Sequence, residues 1–261
     1  MALARARART RSVNRQIAQL CTVLRVPGFF SDSDIASVFS LREEHRARHG
    51  PAPDAREGWH TTYISAAGLF AEREPALLAR LHDLALRVDP SLFSSAPATG
   101  EPGCCASSLA QDMLADLEVR CAEVHEGSAG GSLNDPRHFD SGSVVTVDVL
   151  LGDGSLFEGG GLMTLEADGS MLRHTFERGD ALVFPSYKYH TVEPIEAGVR
   201  QALVLEFWNG DAKGCNHRCD VARGDCSELA RGTRDQQEGD AVQRGSNDGS
   251  WHVEHTDTYN R

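Results

Sequence analysis

The residues able to do chemistry fall between Arg137 and Arg200. His138 and Asp140 flank Phe139, His190 follows after a long gap, and Arg200 comes ten residues later. On an extended segment, side chains two apart point to the same side. One segment can therefore offer a metal an imidazole and a carboxylate together, and a second strand carrying His190 can offer another imidazole. That donor set occupies one face of a metal and leaves the opposite face open, which suits Fe(II) in O₂ chemistry. Arg200 lies in Val199-Arg200-Gln201-Ala202-Leu203-Val204, where strand alternation puts Arg200, Ala202 and Val204 on one face. If that face is a barrel interior, the guanidinium needs an anion, because an unpaired buried charge is costly. Its planar fork fits the carboxylate of a bound acid. A protein carboxylate, Asp148 or Glu206, is the alternative partner. Asp148 shares a face with Thr146 and is unusual in so apolar a strand; it meets Arg200 or substrate.

These residues need strands to hold them. Val144 to Leu151 is a nearly continuous apolar run, as expected of a strand buried on both faces. Further strands are expected over 117–124, 161–165, 171–176, 181–184, 190–192 and 199–208, with Gly152-Asp153-Gly154, Arg178-Gly179-Asp180 and Asn209-Gly210 as turns. Many short strands with Gly turns predict a sandwich or jelly roll. Upstream, Trp59 to Ser65 reads as a strand. Ser31 is a candidate N-cap for a helix through Ile35, Val38, Phe39 and Leu41, ended by Gly50-Pro51-Ala52-Pro53. A second helix runs from about Pro75 to Val88, with Leu77, Leu81, Leu84 and Val88 as the stripe that packs on the sheet. A short helix is expected over 12–23, an extended lead-in over 23–30 and a loop over 94–107.

The motif set resembles the Fe(II)/2-oxoglutarate-dependent dioxygenases, in their prolyl 4-hydroxylase-like branch. The residues that carry the resemblance are His138 and Asp140, then Phe157-Glu158-Gly159-Gly160, Arg178 to Pro185, and His190, Val192, Pro194, Gly198 and Arg200. They span roughly residues 118–208. The resemblance implies a mainly β protein with N-terminal helices and a double-stranded β-helix core (jelly roll, cupin-like). It implies Fe(II) on His138, Asp140 and His190, and 2-oxoglutarate as co-substrate with its far carboxylate on Arg200 and Thr146 nearby. It implies O₂ consumption, release of succinate and CO₂, ascorbate as reductant, and hydroxylation of a peptide or small molecule, peptidyl proline being the best match. Asp140 also separates the chain from halogenating relatives, which lack that carboxylate. One departure stands out: relatives carry a tyrosine shortly before the Gly-Gly that leads to the metal motif. Here the region reads His125-Glu126-Gly127-Ser128-Ala129-Gly130-Gly131, without one. A substrate groove would lie between the 94–107 and 125–137 loops, with Trp59, Tyr63 or Phe139 stacking on a proline ring or serving only as core. The rival readings are a small-molecule hydroxylase, a cupin-like metalloenzyme that does not use 2-oxoglutarate, and a non-catalytic interaction module.

The chain has 261 residues, room for one good-sized core with a helical extension and a tail. Its organisation is read as a basic segment over 1–22, a helical support region over 23–117, a dioxygenase core over 118–210 and a flexible, Cys-containing polar tail over 211–261. A formal net charge of -12 makes nucleic acid a poor partner. No apolar run is long enough for a transmembrane segment. The seven cysteines are odd in number and the chain does not need a disulfide framework, which favours a reducing compartment, the cytoplasm first. Arg5, Arg7, Arg9, Arg11 and Arg15 precede any acidic residue and also suit an organelle transit peptide. Cys215, His217, Cys219 and Cys226 offer structural Zn(II) ligands, but their spacing matches no common zinc motif, and free thiols or a disulfide fit as well.

Overall fold

A computed structural model of the chain describes residues 22–49, 56–87 and 117–218. The 94–107 loop, the stretch 229–261, Cys104, Cys105, Cys219 and Cys226 lie outside them, as does the helix expected over 12–23 except for residues 22 and 23, which are not helical. Strands β1 (Leu24–Val26), β2 (Trp59–Tyr63), β3 (Leu117–Ser128), β4 (Val145–Leu150) and β5 (Phe157–Gly159) come first. β6 (Leu162–Leu165), β7 (Met171–His174), β8 (Ala181–Pro185), β9 (His190–Val192) and β10 (Ile195–Asn209) follow. The large sheet runs β1-β8-β4-β10-β3-β2, with β5 paired to the start of β10; the small sheet runs β7-β6-β9. All the pairings are antiparallel. Two facing antiparallel sheets of this kind make the expected jelly-roll core.

Three α-helices precede β3 among the described residues: α1 (Asp32–His49), α2 (Leu69–Arg73) and α3 (Pro75–Leu86). Ser31 caps α1 as expected. Its Oγ accepts from the Asp34 amide at 3.2 Å, and the Asp34 carboxylate accepts from the Ser31 amide at 2.8 Å. This reciprocal pair satisfies two donors at the helix start. Pro75 opens α3, where its missing N–H costs nothing. Leu77, Leu81 and Leu84 are buried as the stripe predicts, and α3 ends at Leu86; Val88 lies outside the described residues.

Alternation along the central strands sorts the two sides of the large sheet. Val145, Val147 and Val149 of β4, with Leu203, Leu205 and Phe207 of β10, join Ile35, Val38 and Leu81 in the larger apolar core. Thr146, Asp148, Arg200, Val204 and Glu206 face the other way and line a cavity between the sheets. A smaller core of Trp59, Leu162, Leu182, Phe184, Val192 and Ile195 closes that cavity's apolar side. Burying a side chain such as Leu81 stabilises the fold by about 1.5–3 kcal/mol. The helices thus buttress the sheet from behind and leave its inner face to polar residues.

Two strands run longer than the sequence suggests. β3 continues to Ser128, so 125–128 are strand and not the start of a loop. β10 begins at Ile195, because its first residues pair with β5, an element the sequence reading does not contain. Gly198 makes that possible: its φ is +75°, and a Cβ there would collide with the Leu156 carbonyl. Residues 211–218, assigned to a flexible tail, instead pack on the fold. The Lys213 amide donates to Val119 O at 3.0 Å, the Ala67 amide donates to Gly214 O at 2.7 Å, and Cys215 is buried.

Candidate functional site

His138, Phe139 and Asp140 belong to neither sheet, so the extended strand expected for them is absent. A turn builds the segment instead. The Arg137 amide donates to Asp135 Oδ1 at 2.9 Å and the His138 amide donates to Asp135 O at 2.9 Å. The Asp140 amide then donates to Ser186 O at 2.8 Å, and the His190 amide donates to His138 O at 3.0 Å. These backbone bonds clamp the loop against β9 and the turn that precedes it. His138 and Asp140 still point to one side, as the spacing requires, and β9 delivers His190 to them.

The potential ligand atoms of His138, Asp140 and His190 lie within 4.8 Å of one another. His138 Nε2 is 3.4 Å from Asp140 Oδ1, and His190 Nε2 is 3.8 Å from Asp140 Oδ2. The His190 Nδ1–H donates to Lys188 O at 3.0 Å, which fixes the tautomer and leaves Nε2 as the free donor atom. Burial pushes the His190 pKa down, keeping the imidazole neutral as a ligand must be. Burial alone would raise the Asp140 pKa, but His190, the His138 hydrogen bond and Arg218 outweigh it and hold the carboxyl well below its usual range. Two imidazoles and an ionised carboxylate converging on one point fit a divalent transition metal.

Thr146 does not stand alone in the cavity. Its Oγ1 donates to Asp140 Oδ2 at 2.6 Å and lies 2.8 Å from Ser186 Oγ. It is placed to orient the carboxylate. Phe139 turns away from the ligand atoms, stacking on Tyr187 with centroids 5.8 Å apart and tilting against Tyr189 at 5.8 Å. Trp59 is buried, with its Nε1–H donating to His125 Nδ1 at 3.1 Å, and both Trp59 and Tyr63 line the cavity.

Arg200 reaches the cavity interior on β10, as alternation predicts. Its Nη2 sits 3.6 Å from Asp148 Oδ2, beyond hydrogen-bond distance, with both side chains about 95% buried or more. Arg200 Nη2 and Asp148 Oδ1 have no hydrogen-bond partner among the described residues. An orphaned buried guanidinium nitrogen beside a metal-type donor cluster fits the far carboxylate of a small dicarboxylate. Gly160, with φ +63°, gives the arginine its room: a Cβ there would press on Arg200 Cδ at 3.0 Å. Glu206, the other partner considered for Arg200, is instead engaged by Arg218, Arg120 and Ser143.

That engagement belongs to a polar wall the sequence did not reveal. Arg218 Nη2 donates to Glu206 Oε2 at 2.9 Å and to Asp140 Oδ1 at 3.2 Å. Ser143 Oγ donates to Glu206 Oε2 at 2.5 Å. Burial pushes the Glu206 carboxyl up to about 7, with Asp140 adding to the rise and Arg218 opposing it. On β3, His125 Nε2 lies 3.0 Å from Glu123 Oε2, and Cys121 Sγ donates to Glu123 Oε1 at 3.1 Å. Arg218, Glu206, Asp140, Glu123 and His125 line a cavity of about 180 Å³.

No family model matches the chain, and no curated protein matches it. Solved structures do. The non-heme alpha-ketoglutarate-dependent epimerase SnoN from nogalamycin biosynthesis matches with a TM-score of 0.50 at 13% identity, over 77% of this chain and 84% of that one. A Pseudomonas putida prolyl-4-hydroxylase matches at 0.49 and 18% identity, over 77% of this chain and 100% of that one. An oxidoreductase of the 2OG-Fe(II) oxygenase family from Burkholderia pseudomallei matches at 0.47 and 16%, over 82% and 94%. At such identities the likeness to the epimerase speaks to the fold: this chain has the jelly-roll core expected from its sequence.

Proposed function

We propose that the protein is an Fe(II)- and 2-oxoglutarate-dependent dioxygenase that hydroxylates an organic substrate. The observation that carries this reading is the pairing of a His138-Asp140-His190 cluster with the orphaned, buried Nη2 of Arg200 in one small cavity. The three ligands would hold Fe(II), and Arg200 would hold the far carboxylate of 2-oxoglutarate. Bound iron and co-substrate supply the oxidation, in which O₂ is consumed, succinate and CO₂ leave, and one oxygen atom goes to substrate. The chain's own contribution is positional. Lys188 O sets the His190 tautomer, Thr146 and Arg218 aim the Asp140 carboxylate, and the apolar side of Leu162, Phe184 and Val192 keeps water out. Ascorbate is the proposed reductant for iron oxidised in unproductive cycles.

For substrate, peptidyl proline is the first reading. It draws on the resemblance over Phe157 to Trp208 and on the partly exposed rings of Phe139, Tyr187 and Tyr189 beside the ligand loop, which suit an apolar ring. The groove expected beside it draws no support, since 94–107 lies outside the described residues and 125–128 is strand. A small polar molecule is the second reading, favoured by the wall of Glu123, Glu206, Tyr63 and Arg218. Substrate-stimulated succinate release separates the two. Proline-rich peptides gaining one oxygen support the first, and stimulation by metabolites alone supports the second.

A further inference from the structure

Asp148 is a carboxylate where none is needed to hold iron. It projects from the centre of β4 into the cavity, two positions along from Thr146, with its carboxylate facing the Arg200 guanidinium. Yet the pair is incomplete: the closest approach is 3.6 Å, and both Asp148 Oδ1 and Arg200 Nη2 are buried without a hydrogen-bond partner among the described residues. Leaving two such atoms unsatisfied is costly, and both residues line the cavity, where a third polar group beside the pair would satisfy them. A bound carboxylate satisfies the guanidinium. It does not satisfy an ionised Asp148, because two carboxylates would then face one guanidinium in a buried space. Two carboxylates sharing one buried site favour a proton on one of them.

We propose that Asp148 takes up one proton from solvent when 2-oxoglutarate binds, and that its neutral acid form joins Arg200 in holding the co-substrate's far carboxylate. The inference rests on the proposed 2-oxoglutarate site. The balance is simple: one proton leaves solvent and forms an O–H bond on Asp148, and that hydroxyl donates to the ligand carboxylate. Nothing is oxidised or reduced. Burial already pushes the Asp148 carboxyl up, so the proton is readily accepted. The charged groups around it are Arg200 on β10, His125 on β3, His190 on β9 and Asp140 in the loop before β4. Arg200 opposes protonation and Asp140 favours it. Above the Asp148 pKa of the free protein, a proton must be bound with the ligand, so affinity falls as pH rises. The limit of that fall is about tenfold per pH unit for one linked proton.

Isothermal titration calorimetry tests this with anaerobic, Fe(II)-loaded protein and 2-oxoglutarate at pH 8, in two buffers of different ionisation enthalpy. The wild type is expected to take up about one proton per ligand, and Asp148→Asn, which keeps a donor without a charge, close to none. The variant should also bind more tightly than wild type at this pH. Binding by wild type without proton uptake overturns the inference, whether or not the variant folds. Full proton uptake by Asp148→Asn overturns it too, by placing the proton elsewhere. Absence of any 2-oxoglutarate binding to wild type is a distinct result: it removes the proposed function and this inference together.

Discussion

The backbone amide of His190 donates to the carbonyl oxygen of His138 at 3.0 Å. Two ligand-bearing segments far apart in sequence are thereby joined by the main chain itself. The donor cluster is held by hydrogen bonds that no side-chain substitution at the site removes, and the ligand side chains need only be aimed. The same economy explains why Asp140 can sit in a loop: its amide is fixed on Ser186 O and its carboxylate on Thr146.

Asp140→Ala should fold and fail to turn over. It removes one ligand of the cluster and leaves the backbone clamp in place. Far-UV circular dichroism should match wild type while bound iron and 2-oxoglutarate consumption are both lost. Retained activity would remove Asp140 from the metal site.

Arg200→Ala should raise KM for 2-oxoglutarate far more than it weakens iron binding. Removing one partner of a desolvated charge pair costs about 2–5 kcal/mol. Arg200→Lys should fall between, since a point charge replaces a fork. Unchanged KM in both would show that the far carboxylate is held elsewhere.

Thr146→Val should weaken iron affinity by about 10–100-fold, the usual effect of losing a contact that orients a metal ligand. KM for 2-oxoglutarate, measured with iron saturating, should change little. A large rise in KM with normal iron affinity would instead put Thr146 on the co-substrate.

Arg218→Ala should destabilise the fold, because Glu206 loses its nearest cation while staying buried. Breaking a buried pair costs about 3 kcal/mol at the lower end of the range, the relevant end for a side chain that is 27% exposed. Adding Glu206→Gln should recover part of that loss in urea melts. No recovery would mean that the arginine stabilises through packing.

How much of this was legible in the sequence depends on what carried each part. His138, Asp140, His190 and Arg200 were readable because their spacing is local or tied to strand alternation. The strand-helix order was readable for the same reason, since periodicity and caps are short-range signals: Ser31 and Pro75 mark their helices where expected. Arg218 was not readable. It lies past the last strand in a polar stretch, and only tertiary packing carries it to Glu206 and Asp140. His125 was hidden by reading 125–137 as a loop, and Glu123, on an expected strand, carries no local signal that it faces the cavity. Pairing of β3 with both β2 and β10, which no local signal announces, extends the strand to Ser128. Thr146 was expected near the co-substrate; it lines the cavity and its hydroxyl turns to Asp140, a choice that spacing alone does not fix.

The most direct test of the central claim is anaerobic visible spectroscopy of the Fe(II)-loaded protein titrated with 2-oxoglutarate. A keto acid chelating Fe(II) gives a charge-transfer absorption that neither component gives alone. The account predicts that this band appears with wild type, saturates at one co-substrate per iron, is absent in Asp140→Ala and needs much more 2-oxoglutarate in Arg200→Ala. Tight Fe(II) binding with no such band at any 2-oxoglutarate concentration would contradict it.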